Sequence, residues 1–195
     1  NLAKFDFNLS LGEDFSEAQY EGKVTGALAG WPGANFEAKQ LFSNYIKEVE
    51  NDVVINGPAS VTLQGRMMTE HYQVEEYLQA TLPLMKNGMY QYIQEYLPEE
   101  GNYTVDFGYP LKEQYHYTIK IEDDQKVMRM PKEFSVSNQY FEINYEVESK
   151  EDAVIINLKL NIKAAVIPAS NYNELRKAFI QLKKDRSRMV TVKIR

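Results

Sequence analysis

Apolar and polar residues alternate strictly in two consecutive runs near the C-terminal end of the chain, at residues 141–148 and 156–164. This period of two places the apolar side chains on one face of a β-sheet and the polar side chains on the other face, towards water. A short polar turn at 149–152 joins the two runs, so they predict an antiparallel hairpin. The polar face of the first strand is acidic and that of the second is basic, which favours pairing in this register.

Shorter alternating runs predict further strands along the rest of the chain. They lie at residues 4–11, 19–29, 59–68, 73–85, 103–107, 115–121, 126–130 and 189–194. Asn87-Gly88 tolerates the positive φ angles of a type I′ turn, so we expect residues 81–86 and 89–97 to pair as a hairpin. The apolar spacing in 89–97 also fits a helix, and this alternative stays open.

Two helices are predicted from apolar residues spaced three and four apart. The first covers residues 35–51, with Asn35 as its N-cap. The second covers 170–185, with Ser170 as its N-cap and four apolar residues on one face: Tyr172, Leu175, Phe179 and Leu182. The fold class expected is therefore mainly β with two helices, a β-rich α+β arrangement of antiparallel sheets that is sandwich-like.

One candidate domain boundary lies at the turn signal Asn56-Gly57-Pro58. It divides the chain into a strand-strand-helix segment, residues 1–56, and an antiparallel β domain with a C-terminal helix and strand, residues 57–195. The alternative is that both parts form one continuous unit.

The composition excludes several classes of function. A net charge of −6 argues against nucleic acid as the main partner, because phosphate binding needs clustered positive charge. The absence of cysteine removes disulfides, thiolate nucleophiles and cysteine metal ligands. No apolar run approaches the ~20 residues that cross a bilayer, so we expect no membrane span. The chain opens on Asn1 without a signal-peptide pattern, and we expect it to be a mature segment or a piece of a longer protein.

Candidate catalytic and metal-binding groups are few. The chain has two histidines, His71 and His116, and both are expected to be solvent-facing polar residues of strands. They lack the spacing of a zinc site, and Glu122-Asp123-Asp124 lacks the spacing of a calcium loop. We therefore expect no catalytic residue, no cofactor and no metal ligand in this chain.

Seven of the fourteen tyrosines lie between residues 90 and 117, in the middle of the chain, where they suggest an aromatic surface for glycan or peptide. The candidates for this surface are Tyr90, Tyr92, Tyr96, Tyr109, Tyr115 and Tyr117. The alternative is that these side chains fill sheet faces and domain contacts, because tyrosine favours strands.

Four stretches in the second half of the chain follow one another in a recognisable order. They are Gly-Tyr-Pro-Leu-Lys-Glu at 108–113, Val-Met-Arg-Met-Pro at 127–131, Tyr-Asn-Glu-Leu-Arg-Lys-Ala-Phe at 172–179 and the closing run 189–194. In this order they resemble the C-terminal β-rich region, of unassigned function, of bacterial transglutaminase-like proteins. Residues 9–14 and 20–26 are similar to the segment that follows the catalytic core in that family. Met130-Pro131 stands where the family more often has Leu-Pro, and Gly108-Tyr109 stands where it has an arginine before the central proline.

The resemblance implies a non-catalytic accessory domain of an exported protein, located in the periplasm, on the outer surface or outside the cell. Its partner would be an upstream papain-like core of the same chain, with a Cys-His-Asp triad that precedes Asn1. No triad residue falls within the present sequence, so this chain itself is not expected to be an enzyme. The alternative function is a stand-alone β-sandwich module that binds glycan or peptide through the central tyrosines.

Overall fold

A computed structural model describes the chain at residues 1–12, 16–26, 41–43, 45–57, 59–86, 88–89, 100–183 and 189–194. At 45–49 and 183 it describes the backbone. Within these ranges the chain forms fourteen strands and one helix. In chain order they are β1 (Leu2–Leu11), β2 (Ser16–Thr25), β3 (Tyr45–Gly57), β4 (Ser60–Thr69), β5 (His71–Val74), β6 (Tyr77–Thr81), β7 (Val105–Asp106), β8 (Leu111–Lys120), β9 (Gln125–Arg129), β10 (Phe134–Ser137), β11 (Phe141–Ser149), β12 (Ala153–Ile162), β13 (Val166–Ile167), α1 (Ala169–Lys183) and β14 (Met189–Ile194).

Eight of these strands form one large sheet in the order β10-β11-β12-β8-β1-β2-β4-β3. The two central strands, β1 and β8, are parallel, from Leu2 opposite Lys112 to Ser10 opposite Lys120. The other pairs in this sheet are antiparallel, so the prediction of antiparallel sheets is corrected at its centre. Local hairpin signals cannot reveal this pair, because its strands are about a hundred residues apart in the chain. Strands from both segments considered above, 1–56 and 57–195, share this sheet.

Two smaller sheets complete the described fold. The first has four antiparallel strands in the order β5-β6-β14-β9, and we call it the small sheet. The second is the two-stranded pair of β13 and β7. The small sheet joins the two ends of the segment that follows residue 70, because its β5 and β6 come first in that segment and its β14 comes last.

A single cluster of buried side chains lies on one face of the large sheet. On β1, for example, Phe5, Phe7 and Leu9 are buried, whereas the intervening residues are at least partly exposed. The cluster also contains inward side chains of the small sheet and residues of α1. Burial at roughly 25 cal/mol per Å² of apolar surface makes this shared core the main source of stability.

The second predicted helix is confirmed as α1. Its predicted apolar face, Tyr172, Leu175, Phe179 and Leu182, is buried. The predicted hairpin of residues 141–148 and 156–164 is also confirmed, as β11 paired with β12. Across the two predicted runs Lys159 donates to Glu142, and Lys163 Nζ lies 3.9 Å from the same carboxylate, so the acidic and basic faces are joined by ion pairs.

The first predicted helix, 35–51, is wrong over most of the residues that the structure describes, since Leu41 is helical but the helix does not continue through 42–51. Residues 45–51 belong to β3, which pairs with β4, and residues 35–40 and 44 lie outside the described residues. Three register shifts interrupt this pairing, between Tyr45 and Lys47, Glu48 and Glu50, and Ile55 and Gly57. Each shift of this kind places an extra residue in one strand, and so the alternation that would have identified a strand is lost.

The predicted pairing of 81–86 with 89–97 is not found in the described residues. Thr81 pairs with Met189 of β14, because β6 lies between β5 and β14 and both of its edges are occupied. Met85 instead forms an isolated bridge with Phe42. Residues 87 and 90–97 lie outside the described residues.

No helix in the described part of the chain is long and apolar enough to span a bilayer.

Candidate functional site

The structure turns Tyr115 and Tyr117 of β8 into the core, where 2% and 0% of their surfaces are exposed. Their rings stack on Phe5 and Phe7 of the neighbouring β1, with centroids 6.0 and 5.2 Å apart. The prediction that these two tyrosines contribute to a binding surface is therefore corrected. Both are odd-numbered residues, and the odd-numbered positions of β8 face the core.

The other predicted tyrosines are not brought together with them. Tyr109 is 37% exposed, in the bend where Gly108 has a φ of 74°. Tyr90, Tyr92 and Tyr96 lie outside the described residues. Of the three candidate tyrosines that the structure describes, Tyr109 is at the surface, whereas Tyr115 and Tyr117 are in the core.

A buried carboxyl group lies beside Tyr115 on the same face of β8. Glu113 is fully buried and accepts hydrogen bonds from the Tyr115 hydroxyl, at 2.7 Å, and from the backbone N–H of Met89, at 2.6 Å. The Tyr115 hydroxyl in turn accepts from the N–H of Met85, at 3.2 Å. We call Glu113, Tyr115 and their backbone partners at 85 and 89 the Glu113 network.

The Glu113 network ties the segment that follows β6, at Met85 and Met89, to the centre of the large sheet. The Tyr117 hydroxyl adds a third bond, since it donates to the Pro83 carbonyl at 2.5 Å. Gly88 lies directly on the carboxyl group, and a Cβ at this residue would come within 2.0 Å of Glu113 Oε1. Glycine is therefore required by the close approach of the segment to Glu113.

Burial raises the pKa of Glu113 to about 7, against the opposing hydrogen bonds from Tyr115 and from the Met89 N–H. The cause is the loss of water around the charged form, which burial disfavours. Burial, followed by the charge of Glu113, also raises the pKa of Tyr115 well above its ordinary value. The raised pKa means that the buried carboxyl group stays largely protonated below neutral pH, where exposed glutamates are charged.

Glu113 was not among the candidates from the sequence, although a signal for it exists. It is in phase with Leu111, Tyr115 and Tyr117, so a charged residue occupies a position that alternation assigns to the core. A charged residue at a core position is costly unless it is hydrogen-bonded or neutralised.

The opposite, polar face of the large sheet has a groove of about 320 Å³ around His116. His116 is half-buried, and its Nδ1 lies 2.7 Å from Asn157 Oδ1 on the adjacent β12. The rest of the groove is mostly polar, with Lys4, Gln114, Asn144, Glu146 and Lys159 among its lining residues. These groups can hydrogen-bond to a polar surface, and His116 lies on the polar face as the alternation predicts.

A second groove, of about 450 Å³, lies on the same sheet over β1 to β4. Its lining includes the amides of Asn8, Gln19 and Gln64 and the carboxylates of Glu50 and Asp52. The Gln64 amide already donates to Asp52, at 3.3 Å. Both grooves therefore offer amide and carboxylate groups on an open sheet face.

The two histidines belong to different sheets, His71 to the small sheet and His116 to the large sheet. Among the described residues, no group of three or more histidine, aspartate or glutamate side chains is arranged to hold a metal ion.

Comparison with known proteins places most of this fold in a family. Residues 70–192 match the family described as a domain of unknown function with solved structure, DUF3858. The matched region begins just before β5 and ends within β14, so it contains β5 to β13, α1 and most of β14. No curated protein matches the sequence.

A solved structure with a similar fold is the crystal structure of a protein named as a putative protease, from Parabacteroides distasonis. The TM-score is 0.52 at 11% sequence identity. The match covers 62% of the present chain and 24% of the other chain. At this low sequence identity, the match shows a similarity of fold alone.

Proposed function

The chain belongs to the DUF3858 family, and on this premise we propose that it is a non-catalytic accessory domain of a longer protein. The observation that carries the proposal is the size relation with the Parabacteroides protein, of which this fold accounts for 24%. A fold that forms a minor part of a larger chain is suited to support or position the remainder. Fold likeness does not transfer activity, so the role is argued from this chain's own surfaces.

We propose in addition that the longer protein is exported and that its catalytic core is transglutaminase-like, with a Cys-His-Asp triad. Support comes from the resemblance of residues 108–113, 127–131 and 172–179 to the region that follows such a core. Tyr172 and Leu175, in the matching stretch 172–179, are buried. Relatives with the same core packing can share apolar residues at such positions.

The polar face of the large sheet is the surface that suits contact with such a core. Its two grooves present amide, carboxylate and lysine groups, which favour a hydrogen-bonded, partly wet contact between domains. Glu113, Tyr115 and Tyr117 lie on the opposite, core face of β8, one of the strands that form this polar face.

The proposal is tested in the full-length natural protein. Peptide hydrolysis and amide transfer are measured for the natural sequence, for His71→Ala and His116→Ala, and for an alanine substitution of the cysteine expected in the core. We expect both histidine variants to retain the natural rate, while the cysteine variant loses it. A rate that falls with either histidine and survives loss of the cysteine would place the chemistry in this domain and refute the proposal.

A further inference from the structure

The large sheet ends at the edge strands β10 and β3 and the small sheet at β5 and β9, and these edges differ in how they are protected. An unpaired edge can bind another strand, so proteins commonly protect edges with bulges, prolines or charges. On the large sheet, β3 carries three register shifts. On the small sheet, β9 pairs with β14 across a bulge and exposes Lys126 and Arg129.

The edge strand β5 has none of these protections. It pairs with β6 in an unbroken register, from His71 opposite Ala80 to Val74 opposite Tyr77, and contains no proline, lysine, arginine, aspartate or glutamate. Two of its four residues are apolar and exposed, Tyr72 at 57% and Val74 at 60%. In the described part of the chain no strand lies on the side of β5 away from β6.

Both ends of β5 are flanked by exposed carboxylates. Glu70 precedes the strand and Glu75 follows it. The next residue, Glu76, is already engaged by Lys193, whose Nζ lies 3.0 Å from its carboxylate. Glu76 therefore already has a cationic partner. In the described part of the chain, no ion pair involves Glu70 or Glu75.

Glu75 holds its position at a conformational cost. Its φ of 54° lies in the left-handed region, where glycine or asparagine is favoured in a hairpin turn. A residue kept in this region is a reason to look for a role of its side chain. The side chain here is a carboxylate next to an exposed, unprotected edge.

We propose that the outer edge of β5 binds an extended peptide segment with basic residues at its two ends and apolar residues between them. The segment adds as a fifth strand to the small sheet. Its backbone pairs with β5, its apolar side chains contact Tyr72 and Val74, and its basic residues lie near Glu70 and Glu75. This deepens the proposed accessory role and rests on it, since it gives that domain a surface and a class of partner.

A second copy of this chain fits the same edge poorly. In an antiparallel pairing of two β5 strands centred on Tyr72 and Gln73, Glu70 of each copy lies opposite Glu75 of the other. Like charges directly opposite are destabilising. The flanking charges therefore favour a basic partner over self-association.

The test uses the 195-residue chain and two synthetic peptides, acetyl-Lys-Thr-Val-Thr-Val-Lys-amide and its counterpart with glutamate in place of both lysines. Binding is followed through the backbone amide signals of residues 71–74 in NMR titrations. We expect the lysine peptide to shift these signals and to bind at least about tenfold more tightly than the glutamate peptide, from the change of two attractive charge pairs into repulsive ones. Equal binding of the two peptides, shifts centred on another strand, or no shift at all would overturn the proposal.

Two variants separate loss of binding from loss of folding. Glu75→Gly relieves the left-handed backbone, so we expect it to unfold at a higher denaturant concentration and yet to bind the lysine peptide more weakly. Tyr72→Thr keeps a residue suited to a strand and removes the ring, and it should also bind more weakly. The control is Glu151→Gln, which removes an exposed carboxylate from the turn between β11 and β12 and should bind like the natural chain.

Two further outcomes contradict the inference. Unchanged peptide affinity in Glu75→Gly would exclude a role of this carboxylate in binding. Concentration-dependent dimerisation, abolished by Tyr72→Thr, would assign the edge to a second copy. Either result leaves the activity test of the accessory role unaffected, so the two proposals fail separately.

Discussion

The hydroxyl of Tyr115 donates a hydrogen bond of 2.7 Å to the carboxyl group of Glu113, and both side chains are buried on the core face of one strand. The same carboxyl group accepts a hydrogen bond from the backbone N–H of Met89, so one acidic group joins the large sheet to the chain at Met89. A buried network of this kind stabilises a particular arrangement as long as each member is satisfied. The first two predictions follow from it.

Glu113→Gln should remove a pH dependence of stability that the natural chain shows. The pKa of Glu113 is about 7 in the folded chain and 4.5 in the reference state, so between these values the folded state binds the extra proton. Stability should therefore fall as pH rises from about 4.5 to 7, by a total on the order of 3 kcal/mol. Glutamine does not titrate and should lack this decrease. Denaturant unfolding of both chains at pH 5, 6, 7 and 8 measures it.

The difference between the two chains is the informative quantity in that experiment. The exposed carboxylates are common to both, and so their contributions cancel. A difference that grows in favour of Glu113→Gln as pH rises agrees with a buried, protonated acid. Parallel pH profiles would show that Glu113 keeps an ordinary pKa.

Gly88→Ala should destabilise the fold by about 1–3 kcal/mol, because its Cβ would overlap a carboxyl oxygen in a packed interior. Thermal or denaturant unfolding measures the loss. The control is a double-mutant cycle with Glu113→Ala, which vacates the space that the new Cβ needs. The double variant should be more stable than the sum of the two single losses predicts, and strict additivity would contradict direct contact between these residues.

Tyr117→Phe should cost about 1–2 kcal/mol of stability, because it leaves the buried Pro83 carbonyl without the hydroxyl that donates to it. Tyr109→Phe is the matched control, since Tyr109 is partly exposed in a bend. We expect the control to change stability by less than about 0.5 kcal/mol. Equal effects of the two substitutions would contradict the inward orientation of Tyr117.

Local patterns predicted those parts of the fold that depend on neighbours in sequence. The hairpin of β11 and β12 and the helix α1 follow from period and turn chemistry alone. The strand β3 was missed because its register shifts disrupt the alternation. The β1–β8 pair was missed because no local signal connects Leu2 with Lys112.

The candidate sites likewise divide into features that local sequence predicts and features that depend on distant parts of the chain. Alternation already placed Tyr115 and Tyr117 with Ile119 on one face, yet their number suggested a surface for ligands. The turn at Glu75 between β5 and β6 carries no glycine or asparagine, so no local turn signal divides the predicted strand 73–85 in two. Glu113 could have been noticed as an acid in phase with apolar residues, but its partners at 85 and 89 come from a segment that only the folded chain brings near.

Lys159→Gln should have a small and salt-dependent effect on stability, below about 1 kcal/mol, because its partner Glu142 and Lys159 itself are both partly exposed. The hydrogen bond from Lys159 lowers the pKa of Glu142. A carboxyl group with a lowered pKa stabilises the fold above its unfolded pKa of about 4.5, and this contribution is lost as pH falls. Unfolding at low and high salt, at pH 3 and pH 7, measures the difference. A loss that is the same at both pH values would contradict the ion pair.

The proposal that this chain is not itself a catalyst is checked by assaying the isolated 195-residue chain for hydrolysis of an unstructured protein substrate and for incorporation of a labelled amine. We expect rates equal to those of buffer for both reactions. A rate above buffer that disappears in His116→Ala would contradict it and would make the groove around His116 an active site.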